Sequence, residues 1–183
     1  TPGGLQIEAK TTTWRNWGRS VTAHPQFVVK AGTVEEVQAA VRFARDYGLP
    51  SKPIGAGHSF SPIAATGGVL LDLQWLDGVI AVDGMNVTLG AGTNLFQLPA
   101  LLGPLGLALQ NMGDIDQQTI AGATSTGTHG TGLAFGGLAT RIRAATLVTA
   151  FGDILRINAN ENAELLPAVA LGLGALGVLV DVT

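Results

Sequence analysis

A chain of 183 residues suits one domain with a substantial core, and neither an oligomer nor a metal is needed to explain its folding. Charged residues make up only 13% and glycines number 26, about twice the usual frequency, so tight turns and a surface partly covered by a ligand or another domain are expected. The net charge of -3, with no Lys or Arg from Pro53 to Thr140, argues against a nucleic-acid footprint, and the absence of cysteine excludes disulfides, thiolate metal sites and cysteine nucleophiles.

Residues Thr1 to Lys10 lack a basic segment followed by an apolar stretch, so no retained signal peptide is expected there. Gln26–Lys30 reads as a strand and Thr33–Tyr47 as a helix, with Thr33 and Glu36 as a capping box and Val37, Ala40, Val41 and Ala44 on one face. Gly48 and Pro50 stop this helix, and Lys52–Gly55 starts a second strand that runs into the loop Gly55–Ser61, a βαβ-like opening.

Val69–Leu73, Val79–Val82 and Val87–Gly90 read as further strands, the last two joined across Asp83-Gly84. Asn94 is placed to cap a short helix through Leu102, whereas Met112–Gly137 has little periodicity and reads as a long irregular segment of the kind that is usually functional. Arg143–Ala150 and Ile154–Asn158 form an expected hairpin around Gly152-Asp153, Asn162–Leu171 an expected helix and Val178–Val182 a final strand. The uncharged run Leu165–Val180 is 16 residues long, short of the roughly 20 that span a bilayer, and Pro167, Gly172, Gly174 and Gly177 interrupt it, so it reads as buried and no membrane segment is expected. The fold class is α+β.

Two segments are candidates for chemistry. Pro53-Ile54-Gly55-Ala56-Gly57-His58-Ser59-Phe60 follows a strand directly, and the N–H groups of such a turn can converge on a diphosphate, with Ser59 adding a hydroxyl. A plain turn with a solvated or capping histidine is the other reading. Residues 110 to 132 carry many hydroxyls and amides on a small-residue backbone, which suits the polar edges of a flat ligand and equally suits a tight loop packed under another element. Gly172-Leu173-Gly174-Ala175-Leu176-Gly177 has the GxGxxG spacing, but it follows a helix and precedes a strand, the reverse of the nicotinamide-binding order. His24, His58 and His129 are scattered and lack nearby carboxylates, so no metal site is expected, and His24 beside Pro25 reads as a surface residue.

Ile54–Phe60, Val69–Gly92, Leu107–Gly132 and Leu173–Val180 together resemble the FAD domain of the aldonolactone oxidoreductases, the gulonolactone, galactonolactone and arabinonolactone oxidases and dehydrogenases of the vanillyl-alcohol-oxidase (PCMH-type) superfamily. Trp14-Arg15-Asn16-Trp17 is similar to the start of those enzymes. The resemblance implies an FAD-binding domain over 1–183, built of two α/β subdomains, about 1–75 and about 76–183, with the cofactor between them. It implies that Pro53, Ile54, Gly55, Ala56, Gly57, His58 and Ser59 wrap the FAD diphosphate, with His58 the residue joined covalently to the flavin. Gly113, Asp114, Thr119, Ala121, Gly122, Ser125, Gly127, Thr128 and His129 match flavin-lining positions, and Val178 matches a position whose backbone meets the adenine.

Gly113 in addition matches a position over the flavin ring where glycine leaves room for O2, which leans towards an oxidase. The implied activity is oxidation of a sugar-1,4-lactone by hydride transfer to flavin N5, with O2 or another electron acceptor. An alditol (polyol) oxidase, or an FAD-binding fragment with no activity of its own, are the alternatives. The family's C-terminal substrate domain has no counterpart in these residues. The expected compartment is cytoplasmic, with membrane association of the full enzyme left open.

Overall fold

The structure is a computed structural model that describes residues 6–9 and 12–183, so most of the reading of Thr1 to Lys10 lies outside the described residues. The first strands are Gln6–Ala9 (β1), the two-residue pair Trp14–Arg15 (β2) and Thr22–Ala23 (β3), and Phe27–Lys30 (β4). Val34–Asp46 then forms helix α1, started by Thr33, whose hydroxyl accepts the Glu36 N–H at 3.2 Å. The expected reciprocal bond lands one residue earlier: the Glu36 carboxylate takes the N–H of Gly32 at 2.7 Å. Gly48 ends the helix at φ +64, and the Leu49 N–H reaches back to the Ala44 carbonyl at 2.8 Å, the bonding that a left-handed glycine cap makes possible.

Ser51–Ile54 (β5) and Val69–Asp72 (β6) complete a four-stranded sheet ordered β1-β4-β6-β5, in which β6 runs parallel to both β4 and β5 and β1 is antiparallel to β4. Val79–Asp83 (β7) and Asn86–Gly90 (β8) form a hairpin whose register pairs Asp83 with Asn86. The two turn residues are therefore Gly84 and Met85 rather than Asp83 and Gly84, with Gly84 at φ +59.

Leu98–Leu102 (α2) is preceded by a 3-10 turn over Leu95–Gln97, where the Gln97 side chain takes the Asn94 N–H at 2.7 Å. Inside the segment expected to be irregular, Ile120–Ser125 folds as helix α3. Its start signal is Thr119, whose hydroxyl accepts the Gly122 N–H at 3.2 Å, while the small residues Ala121, Gly122 and Ala123 give no periodicity that would betray it.

Ala145–Val148 (β9) and Ile154–Ile157 (β10) form the expected hairpin. The helix expected over Asn162–Leu171 is shorter: a 3-10 turn at Ala163–Leu165 leads to Leu166–Val169 (α4), and Leu171 at φ 103 and Leu173 at φ 54 cannot continue it. Val178–Val182 (β11) has the boundaries read from sequence and lies between β9 and β8 in a five-stranded sheet, β10-β9-β11-β8-β7.

Two cores hold these layers together. Val37, Ala40, Val41 and Ala44 of α1 pack with Val29, Val69 and Leu71 of the first sheet and with Val148, Val178 and Val180 of the second. Leu89, Leu147, Leu179 and Val182 pack instead with Leu98 and Leu102 of α2, Ile120 and Ala123 of α3 and Val169 of α4. Val178 and Val180 of β11 thus feed one face of the sheet and Leu179 and Val182 the other, with a register shift against β9 between Leu179 and Asp181, and each buried Val or Leu contributes about 1.5–3 kcal/mol. The reading of Leu165–Val180 as buried is corrected at Leu171, Leu173 and Leu176, which stand about half exposed because the positive-φ turns around Gly174 and Gly177 carry the chain over the surface.

Candidate functional site

The parallel strand β5 delivers Pro53 to the edge of the sheet, and the chain leaves it through Gly55–Ser59 above an open cleft. The cleft encloses about 870 Å³, open solvent at its mouth included. Of the residues singled out from sequence, Pro53, Ile54, Gly55, Ala56, Gly57, His58 and Ser59 line one wall, and Thr119, Ala121, Gly122 and Ser125 line the facing one. The two walls meet at Gly55, where any Cβ would collide with the Thr119 hydroxyl, so glycine is what lets the loop and the start of α3 close together.

The hydrogen-bonding state of the first loop defines what the cleft can hold. Among the described residues, the N–H groups of Gly55, Ala56, Gly57, His58 and Ser59 donate to no protein acceptor. A run of backbone donors at a concave surface, beside a Ser59 hydroxyl that meets the Ser61 hydroxyl at 2.9 Å, is the donor set that a diphosphate needs. Lys52 is the only Lys or Arg among the cleft-lining residues, so backbone dipoles rather than guanidinium groups would carry the anion.

The loop is held from behind by a turn that the sequence reading does not place in the site. Asn16 is 2% exposed; its Nδ2 donates to the Ser59 carbonyl at 2.9 Å and to the Ser20 hydroxyl at 2.9 Å, and its Oδ1 accepts the Val21 N–H at 2.9 Å. The Trp17 N–H donates to the Gly57 carbonyl at 2.8 Å, and Gly57 takes φ +68 beneath it.

The structure does not bring every expected residue into the cleft. Gly113, Asp114, Gly127, Thr128 and His129 are absent from its lining and form a second, self-packed layer beside α3. There the Thr128 N–H donates to the Ala123 carbonyl at 3.1 Å, the Thr128 hydroxyl to Gln118 Oε1 at 3.0 Å, and His129 Nδ1 lies 2.8 Å from the Gly130 carbonyl. A Cβ on Gly113 would stand 3.0 Å from the His129 carbonyl, so backbone packing alone already favours glycine at that position. Asp114 is exposed.

Val178 lines a second hollow of about 470 Å³, which shares Pro53, Gly174 and Gly177 with the cleft and so continues it. Gly174, Gly177, Leu173, Gln118 and Lys52 are lining residues that the sequence reading leaves out. The Gly172–Gly177 run is no nicotinamide fingerprint by its helix-then-strand order, yet its glycine spacing was the signal available for Gly174 and Gly177. No described helix is long and apolar enough to cross a membrane.

Comparison with known proteins agrees with this geometry. Residues 25–158 match the family model described as FAD binding domain. The chain is 38% identical to the L-gulonolactone oxidase of Bos taurus over 176 residues, covering 95% of this chain and 40% of that protein. It is 38% identical to the L-gulono-1,4-lactone dehydrogenase of Mycobacterium tuberculosis over 172 residues, 93% of this chain and 40% of that one. Among solved structures it superposes on Physcomitrella patens BBE-like 1 with a TM-score of 0.85 at 25% identity, covering 98% of this chain and 41% of that chain. The chain therefore spans about two-fifths of the length of these relatives.

Proposed function

The chain belongs to the FAD binding domain family, and from that premise we propose that it is the cofactor-binding part of an FAD-dependent aldonolactone oxidoreductase. The observation that carries the proposal is the row of unengaged N–H groups from Gly55 to Ser59 facing Thr119–Ser125 across a cleft that continues into the hollow beside Val178. These residues fit the cofactor: the Gly55–Ser59 amides would take the diphosphate oxygens, the Thr119 and Ser125 region the polar edges of the flavin and its chain, and the Val178 hollow the adenine.

FAD, when bound, supplies the hydride-accepting ring that oxidises the lactone carbinol and passes the electrons to an acceptor. The protein's own part is to bind, orient and shield. Pro53 fixes the backbone entering the loop, Asn16 anchors the loop at Ser59, and Gly55 lets the two walls close. The names of the relatives, L-gulonolactone oxidase and L-gulono-1,4-lactone dehydrogenase, support a sugar-1,4-lactone as substrate. O2 as acceptor rests on the resemblance at Gly113 alone, since Gly113 packs against the His129 carbonyl outside the cleft lining.

His58 is proposed as the covalent tether. A neutral imidazole nitrogen is a competent nucleophile at neutral pH. In the tethered form an N–C bond would replace the imidazole N–H of His58 and one C–H of the flavin 8α-methyl, and O2 would take up the two hydrogens with their electrons as H2O2.

The test is an absorbance spectrum of the purified protein before and after acid precipitation. Flavin colour is expected to stay with the pellet and to leave it in His58→Ala. Colour released to the supernatant would remove the tether and keep the flavoprotein; no flavin even after incubation with FAD would overturn the binding role. For the substrate, L-gulono-1,4-lactone is expected to drive O2 consumption by the full reading frame, and turnover only with an artificial dye would make it a dehydrogenase.

A further inference from the structure

The turn Asn16–Trp17 touches three consecutive residues of the cleft loop, each in a different way. The Trp17 N–H holds the Gly57 carbonyl at 2.8 Å, and Asn16 Nδ2 holds the Ser59 carbonyl at 2.9 Å. Between them the Trp17 indole lies on the His58 imidazole, 4.9 Å between ring centroids and 17° between planes. Among the described residues neither ring nitrogen of His58 has a hydrogen-bond partner, so the imidazole plane is set by the stack and both nitrogens stay free.

Within these residues the indole buries little of its surface. Trp17 is 65% exposed, which forgoes much of the gain from burying so large a ring. Phe60, 69% exposed, stands edge-on to it at 6.4 Å and 86°, and a Cβ on Gly18 would strike the Phe60 ring at 2.7 Å. Gly18 thus leaves room for the Phe60 ring beside Trp17.

We propose that Trp17 is a positioning residue for flavin attachment: its indole holds the His58 imidazole in one plane without engaging either nitrogen, so that a nitrogen lone pair is presented to the cleft. This rests on the reading of His58 as tether, and the bond is the one balanced above, with O2 as the oxidant. A hydrogen bond from protein to the reacting nitrogen would occupy the atom that reacts, and one to the other nitrogen would fix the tautomer as well as the plane. Stacking fixes the plane and leaves the atom available.

The test uses the full reading frame as wild type, Trp17→Ala and Trp17→Phe, purified at intervals after induction. Acid-stable flavin, total bound flavin and the thermal midpoint are read at each time. Trp17→Ala, which keeps the Asn16 and backbone anchors, is expected to slow the appearance of acid-stable flavin about tenfold, the upper end of what an aromatic pair contributes. Total bound flavin and the midpoint stay near wild type, and Trp17→Phe recovers most of the rate. Equal rates in Trp17→Ala and wild type overturn the positioning role. Loss of total flavin in step with the acid-stable fraction overturns it as well, since it assigns Trp17 to the shape of the cleft. A wild type whose flavin is entirely released by acid overturns the tether, and the positioning role with it.

Discussion

The loops around His58 and around His129 are both glycine-rich and both carry a histidine, yet only the first lines the cleft. Residues 55–59 leave their N–H groups unengaged and are braced from behind by Asn16 and Trp17. Around His129, Asn111 Nδ2 donates to the Thr131 carbonyl at 2.9 Å, the Thr128 N–H to the Ala123 carbonyl and the Thr128 hydroxyl to Gln118, while the N–H groups of His129, Gly130 and Thr131 also meet no protein acceptor among the described residues. A Cβ at Gly130 would run into the Met112 carbonyl, so glycine there serves close backbone packing. Neither glycine content nor unpaired amides alone therefore marks a ligand site; their place on the wall of a cleft does.

The contrast is broken or upheld first by a pair of substitutions. Gly130→Ala is expected to cost about 3 kcal/mol, because the methyl meets backbone that has nowhere to move, seen as a lower midpoint in chemical denaturation. Gly55→Ala meets a side chain, the Thr119 hydroxyl, and is expected to cost less stability, about 1–2 kcal/mol, while weakening FAD binding more than Gly130→Ala does in a flavin titration. Equal losses of affinity would erase the distinction. Asn16→Ala strips the brace and leaves the Val21 N–H without its acceptor, for an expected loss of about 2 kcal/mol in thermal unfolding.

The first loop was legible from its position straight after a strand, and the seven residues named for it line the cleft. The second was only half legible. Thr119, Ala121, Gly122 and Ser125 reach the cleft through α3, a helix whose run Ile120–Ser125 carries no amphipathic period and exists because Ile120 and Ala123 are buried against the second sheet. The brace at Asn16 could not be read from local pattern, since its bond to Ser59 joins residues 43 apart. The same is true of the surface turn at Leu171–Gly177, where the apolar composition signals burial and the backbone dihedrals prevent it.

Two smaller effects sharpen the picture. Gly113→Ala is expected to reduce O2 reactivity of the bound flavin in stopped-flow reoxidation and, because the methyl presses on the His129 carbonyl at 3.0 Å, to lower stability by about 1 kcal/mol. A drop in stability with unchanged reoxidation would make Gly113 a packing residue alone. At Asp181, burial holds the carboxyl above its ordinary range against the lowering effect of Thr146 and Arg156. The folded state therefore binds the proton more tightly than the unfolded chain, and stability falls as pH rises from 3.8 through the raised folded value. Asp181→Asn is expected to stabilise slightly at neutral pH and to flatten that part of the pH profile, measured by thermal unfolding.

The place of β11 bears on synthesis as well as on shape. Strand β11, late in the sequence, lies in the middle of the second sheet, with β8 on one side and β9 on the other, and its residues enter both cores. On the ribosome, β8 and β9 emerge with an open edge each, and Leu89 and Leu147 lack their neighbours on β11 until Val178–Val182 arrives. Open edges of this kind invite other chains during that wait, and docking of β11 closes both of them and brings Val178 and Val180 into one core and Leu179 and Val182 into the other.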